Sequence, residues 1–225
     1  MKKAIVLLSG GMDSSALLHL VKKQLGAGAI HALSFNYGQK HSRELAMARW
    51  QAKAAAVKDH CTVNASFLKT LFAGGSALTD SRIAVPDLAE LSASQLDQPP
   101  TYVPNRNMIL LALAAAYAES KGIEDVFYGA HAQDQYGYWD CTRKFIHNIN
   151  RVLSLNRRKP VTIHAPFIGM KKIEILKAGL RLGVDFSRTW SCYRGGRRPC
   201  GKCPTCVDRL AAFLQAGIED PLARS

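Results

Sequence analysis

The chain has 225 residues, 48% of them hydrophobic, and carries 30 Lys and Arg against 17 Asp and Glu, a formal net charge of +13. This length suits one well-buried α/β domain with a small appendage, and the apolar content excludes a disordered chain. No segment approaches the roughly 18 consecutive apolar residues that span a bilayer, so no membrane partner is expected.

Ala4-Ile5-Val6-Leu7-Leu8 is a wholly apolar run of the kind a strand buried on both faces produces. Lys2 and Lys3 ahead of it imitate a secretion signal, but the run is too short and leads straight into Ser9-Gly10-Gly11-Met12-Asp13-Ser14. It therefore reads as a first strand, and a cytoplasmic location is expected. Leu17, Leu18, Val21 and Leu25 then recur at helical spacing. Between strand and helix, two glycines without Cβ let the backbone bend tightly and approach a ligand. Ser14 or Asp13 is the expected helix cap, and free N–H groups at the positive end of that helix make a seat for phosphate. A bare Gly-Gly pair would more often simply turn the chain. The buried strand, the helix start, two serines and an aspartate favour the phosphate seat here. No G-x-x-x-x-G-K-[ST] occurs, and Gly26-Ala27-Gly28 lacks the third glycine of a dinucleotide fingerprint and reads as a helix ending.

A second strand, Ile30 to Phe35, ends at Asn36-Tyr37-Gly38-Gln39-Lys40-His41. An alanine-rich helix from about Ser42 to Val57 and a third strand near His60 to Val63 follow. This alternation predicts a doubly wound α/β fold, a parallel sheet with helices on both faces. Ligands in such sheets bind beyond the carboxyl ends of the strands, where the glycine loop and the Tyr37-to-His41 segment both lie. Residues 64–104, with Gly74-Gly75, Pro86, Pro99-Pro100 and Pro104, break the pattern and read as a lid, a substrate loop or an insertion. Tyr102-Val103-Pro104-Asn105-Arg106-Asn107 opens an apolar helix, Met108 to Ala118, expected to be buried with Asn105 as its cap. A strand at Asp125 to Tyr128 leads to Gly129-Ala130-His131-Ala132-Gln133-Asp134. Then come a helix from Lys144 to Leu155, a basic turn at Arg157 to Pro160, a strand from Val161 to His164 and a helix from about Lys171 to Leu182. No internal repeat is present.

Cys61 and Cys141 stand alone, whereas Cys192, Cys200, Cys203 and Cys206 form C-x7-C-x2-C-x2-C. In a cytosolic chain this clustering favours metal over disulfides. Four thiolates surround zinc tetrahedrally and leave no open position, which makes the site structural. Gly195-Gly196 and Gly201 permit the turns, and Arg194, Arg197, Arg198 and Lys202 offset the thiolate charge. An iron–sulfur cluster uses the same ligands and stays open. The charge is equally uneven: residues 1–142 hold 13 Lys and Arg against 12 Asp and Glu, residues 143–225 hold 17 against 5. Attraction of anionic nucleotides, contact with nucleic acid and solubility all account for that excess, and nucleic acid is not favoured among them.

Single residues add weaker signals. Arg106 at a helix start suits a phosphate or a carboxylate. Asp134 after a strand suits magnesium or an amine, or simply forms a turn. Lys172 at a helix start opposes the dipole, which hints at a negative neighbour. His41 and His131 are as readily structural as functional, and Tyr138 and Trp139 suit stacking on a flat heterocycle or core packing.

S-G-G-M-D-S resembles the pyrophosphatase loop of the adenine-nucleotide α-hydrolase superfamily, whose members split ATP between its α and β phosphates and hand AMP to an acid or amide oxygen. Further along come Y-G-Q-K-H with Glu44, Ser76-Ala77-Leu78-Thr79, Y-V-P-N-R-N, Gly137-Tyr138 with Asp140-Cys141, Lys172 with Glu174-Ile175, and T-W-S-C-Y ahead of C-G-K-C-P-T-C. Their order resembles the 7-cyano-7-deazaguanine synthase family over essentially the whole chain. The resemblance implies an ATP-pyrophosphatase-type domain over residues 1–190 with an insertion at about 64–104, and a zinc segment with a C-terminal helix over 191–225 packed on it. It implies ATP at Leu8, Ser9, Gly10, Gly11, Met12, Asp13, Ser14 and Ser15, and catalytic roles for Asp13, Ser14, Arg106, Asp134 and Lys172. Mg²⁺, structural Zn²⁺ at the four cysteines, a 7-deazapurine acid with ammonia, and a homodimer complete the expectation. The implied reaction converts 7-carboxy-7-deazaguanine to the nitrile through an adenylated acid and an amide. A family variant stopping at the amide or taking another acceptor, and a tRNA-modifying enzyme with the same loop, are the alternatives. This chain departs from the family's G-Y-P-D-C-R at Trp139 and Thr142, has Lys144 near a usually acidic position, Lys40 where arginine is common, and Asn105 where a glycine precedes Arg106.

Overall fold

A computed structural model describes residues 2–40, 42–134 and 137–223, without the side chains of Leu96 and Asp97, so His41 lies outside the described residues. Five strands, β1 (Ala4–Leu7), β2 (Ile30–Asn36), β3 (Asp59–Asn64), β4 (Asp125–Phe127) and β5 (Thr162–His164), pair in parallel in the order β3-β2-β1-β4-β5. The helices are α1 (Met12–Leu25), α2 (Arg43–Ala54), α3 (Leu68–Leu71), α4 (Ala93–Asp97), α5 (Arg106–Ser120), α6 (Arg143–Leu153), α7 (Lys172–Arg181) and α8 (Pro204–Gln215).

The apolar runs are explained by burial on both faces. Ala4, Val6 and Leu8 share one core with Leu17 of α1, Ala48 of α2 and Ile175 of α7. Ile5, Leu33 and Phe35 point the other way, against Leu111 and Ala114 of α5 and Phe145 of α6. Helix α5 corrects one expectation. Nearly all its residues are apolar, yet only one face is covered: Leu111, Ala114, Ala115 and Ala118 are buried, whereas Met108 is 39% exposed. It is an outer layer, and the sheet covers one side of it.

The chain leaving β1 enters a helix on one face of the sheet, and the chain leaving β4 enters one on the other. The crevice between the carboxyl ends of β1 and β4 is therefore the topological switch point, where ligands of such sheets bind.

Residues 64–104 are tied down by non-local bonds. Lys40 N donates to Leu78 O at 3.1 Å, Ala77 N to Pro100 O at 2.7 Å and Leu88 N to Lys202 O at 2.9 Å. Ala77 and Val85 are buried with Trp190 and three of the clustered cysteines. Arg209 of α8 forms a buried ion pair with Asp220, donating from Nε at 2.7 Å, and also donates to Thr189 Oγ1 and Phe186 O. Part of the positive excess thus holds the fold. Among the described residues no helix is long and apolar enough to cross a membrane.

Candidate active site

The glycine loop lies at the switch point. Gly10 has φ of +85°, and a Cβ there would come within 2.1 Å of the Glu44 carbonyl oxygen and 2.6 Å of Ala48 N. Only glycine lets α2 dock on the loop this closely. The expected cap is corrected: Gly11 is the N-cap of α1 and no side chain caps it. Ser14 folds back instead, accepting from Ser9 N at 3.2 Å and lying 3.0 Å from Ser9 Oγ, which fixes the bend. Gly11 N donates to Ser9 Oγ at 3.3 Å, and the N-cap supplies no side chain to the first turn of α1, which leaves its positive end suited to an anion. Leu8, Ser9, Gly11, Met12, Asp13 and Ser14 line the main cavity. Gly10 and Ser15 do not; Gly10 faces α2, and Ser15 is fully buried.

Beside the loop the structure gathers four ionisable groups. Lys172 Nζ lies 3.3 Å from Asp13 Oδ2 and 3.3 Å from His131 Nε2, and His131 Nε2 lies 3.5 Å from Asp134 Oδ1. Burial alone would raise the Asp13 carboxyl, but the Lys172 ammonium and His131 outweigh it and hold it below its ordinary value. Burial would likewise lower Lys172, and Asp13 and Asp134 together raise it. Asp134 is pushed up, chiefly by burial, against the pull of His131 and Lys172. The second oxygen of Asp13, Oδ1, is buried with no hydrogen-bond partner, and so is Ser15 Oγ.

The other wall is aromatic. Arg106 opens α5 after Asn105, whose φ of +54° is left-handed and whose side chain makes no cap bond, another correction. Its guanidinium donates to Asn107 Oδ1 at 3.2 Å and to Tyr37 OH at 3.4 Å, and among the described residues no carboxylate lies within ion-pair distance. Asn107 is held by Asp140, which accepts from its backbone N and its Nδ2, both at 3.1 Å. Burial raises the phenols of Tyr128, Tyr138 and Tyr193 around this space. It also pushes the Cys141 thiol far up, so that sulfur stays protonated rather than nucleophilic.

The four clustered cysteines come together, their sulfurs all within 4.8 Å of one another. Tetrahedral metal with thiolate bonds of about 2.3 Å needs sulfurs about 3.8 Å apart, so the cluster fits a metal ion. Gly195 and Gly201 take positive φ in the turns, as their place in the motif requires. Arg194 does more than offset thiolate charge: it donates to Val85 O at 2.8 Å and Asp87 Oδ1 at 2.6 Å, clamping the 64–104 segment. Just upstream, Trp190 N donates to Gly10 O at 2.9 Å. The T-W-S-C-Y stretch thereby reaches the glycine loop itself, and Trp190, Ser191 and Tyr193 line the cavity with it.

A family model described as "Queuosine biosynthesis protein QueC" matches residues 3–217. The chain belongs to the QueC family. Curated relatives named 7-cyano-7-deazaguanine synthase include one from Alteromonas mediterranea, 46% identical over 224 residues and 98% of each chain. Another, from Caldicellulosiruptor saccharolyticus, is 44% identical over 220 residues, 98% of this chain and 94% of that relative. An NH3-dependent NAD synthetase from Campylobacter jejuni subsp. jejuni shares the fold at a TM-score of 0.51 and 14% identity, over 96% of this chain and 75% of that one.

Where this QueC chain departs from the motif, the structure shows what the altered residues do. Trp139 is 48% exposed, stacks edge-on against Phe145 and does not line the cavity, so it is no platform for a heterocycle there. Thr142 caps α6 by accepting from Phe145 N, and Lys144 is exposed. Asn105 tolerates the left-handed backbone that explains a glycine at that position. Asp13, Ser14, Arg106, Asp134 and Lys172 all line one cavity. Sequence reasoning missed Asn107, Tyr128 and Tyr193 as site residues. The only signals were Asn107 inside Y-V-P-N-R-N, Tyr128 at a strand's carboxyl end and Tyr193 beside a cysteine.

Proposed function

We propose that this protein is an ATP-dependent ligase converting 7-carboxy-7-deazaguanine and ammonia to 7-cyano-7-deazaguanine. The observation that carries this reading is near-full-length similarity to synthases of that name. The geometry agrees, because one cavity joins a phosphate seat to an aromatic chamber with an unpaired guanidinium.

A carboxylate is a poor electrophile, so its oxygen first attacks the α-phosphorus of ATP and pyrophosphate leaves. Backbone N–H groups at the start of α1 and the Lys172 ammonium stabilise charge on the leaving group. Ammonia then displaces AMP from the acyl carbon and gives up a proton, forming the amide. The amide oxygen attacks a second ATP and pyrophosphate leaves again; loss of both N–H protons and of AMP then leaves the nitrile. Arg106 supplies donors for oxygens of the acid, and Asp134 orients the incoming amine. The unpartnered Asp13 Oδ1 fits a magnesium ion, which would neutralise phosphate oxygens when bound. Cys192, Cys200, Cys203 and Cys206 would hold zinc, whose four thiolate bonds supply folding energy to the segment.

The reading keeps residues 1–190 as the catalytic domain, with 64–104 inserted and 191–225 packed on it. The Trp190–Gly10, Arg194–Val85 and Leu88–Lys202 bonds support that packing. The amide-stopping variant loses its motive, because Trp139, Thr142 and Lys144 lie off the cavity. Incubation with 7-carboxy-7-deazaguanine, ATP, Mg²⁺ and ammonia tests the reading by product mass. Nitrile with two AMP per turnover is expected. Amide as the end product, or no AMP at all, overturns it.

A further inference from the structure

Among the described residues that line the cavity, one carboxylate is engaged by no hydrogen bond or ion pair from another described residue. Asp13 lies against Lys172 and His131, Asp134 against His131, and both oxygens of Asp140 accept from Asn107. Glu44, the second residue of α2, lines the same cavity. Its carboxylate makes no hydrogen bond or ion pair with any described residue. The one opposing charge that reaches it is Arg106, and burial still prevails, pushing its carboxyl up to about 7.

Its place is fixed rather than incidental. The Glu44 backbone is the surface on which side-chain-free Gly10 packs, and the preceding Arg43 stacks on Trp190 with its guanidinium 4.6 Å from the ring centroid. Both contacts anchor the first turn of α2 to the glycine loop and to the segment carrying Tyr193. Glu44 lines the cavity together with Tyr37, Arg106 and Tyr193, the groups with which it interacts electrostatically.

An ionised carboxylate is acceptor-only and takes two parallel N–H donors in a fork. Left without them in a partly enclosed cavity it costs free energy, which a ligand carrying two adjacent donors relieves. The acid in the reading above carries such an edge: a ring N–H beside an exocyclic amino group. We propose that Glu44 is the specificity-determining residue of the acid site, its carboxylate accepting from the ring N–H and the 2-amino group of the deazaguanine. The inference rests on that reading and deepens it. It requires that an otherwise identical acid lacking the 2-amino group, 7-carboxy-7-deazahypoxanthine, is a poor substrate. A site built around a hydrogen bond rejects the analogue lacking it far more strongly than an apolar pocket does.

The experiment compares kcat/KM for pyrophosphate release with the two acids, in the wild type and in Glu44→Gln. The wild type should prefer the amino-bearing acid by about 100-fold or more. Glu44→Gln, nearly isosteric but presenting a donor as well as an acceptor, should lose about 100-fold with that acid, mainly through KM, and change little with the other. An active wild type that does not distinguish the two acids overturns the assignment without any mutation. So does a variant that keeps the wild-type preference. A variant with unchanged KM that accumulates amide also overturns it, making Glu44 the proton acceptor in nitrile formation. If the wild type releases no pyrophosphate with either acid, the deazaguanine reading fails and takes this inference with it.

Discussion

Lys172 stands at the first position of α7, where the helix dipole repels a cation, and Asp13 at 3.3 Å is the compensating charge. Replacing Lys172 by Ala should lower kcat for AMP release about 100-fold, the scale of losing one preorganised charge donor. Unchanged turnover would remove Lys172 from the site. Glu44 makes a stability prediction of its own. Its folded-state carboxyl is raised from 4.5 to about 7, so its contribution is fully present below the unfolded value and is lost as pH rises through about 7. Glu44→Gln should therefore gain on the wild type between pH 5.5 and 8.5, by on the order of 2 kcal/mol in denaturant melts. Arg106, Tyr37 and Tyr193 surround the carboxyl in both forms, and an identical shift at both pH values would contradict the assigned burial. At this scale the sequence was legible where a motif fixed chemistry, as at Asp13 and the cysteines. Glu44 was visible only as a member of a motif, because a glutamate in a first helical turn already satisfies the dipole and gives no sign of facing a cavity.

Elements were easier to read than the bonds between them. Each strand fell within one residue of its expected ends, and in β1 the reason is burial on both faces, which requires an apolar run. Residues 64–104 resisted because their order comes from distant partners such as Lys40 and Lys202, which no local pattern encodes. The cap of α1 was misassigned for a related reason: Ser14 is committed to Ser9 across the loop. The docking of α2 on the glycine loop yields a sharp prediction. Gly10→Ala would place a methyl against the backbone of Glu44 and Ala48 at a positive φ. The variant should lose about 2 kcal/mol or more in urea melts, together with activity. A stable, active variant would mean that α2 moves aside freely.

In the molecule as a whole, the cysteine cluster and the glycine loop are parts of one structure. Cys203→Ser should bind no zinc by atomic absorption and melt at a lower temperature, since binding energy at a closed site is folding energy. Because Tyr193 and Trp190 line the cavity, that variant should also bind the acid more weakly. A metal-free variant with wild-type affinity would uncouple the two. Asp220→Ala should cost about 3 kcal/mol by leaving the Arg209 guanidinium buried without its counter-charge, measured as a shift in denaturant midpoint.

The bond from Trp190 to Gly10 has a bearing on how the enzyme comes into being. Translation delivers the glycine loop among the very first residues, yet its partner leaves the ribosome only after most of the polypeptide has been made. A nascent chain therefore carries its glycine loop without the Trp190 bond until the residues leading into the cysteine cluster have been made.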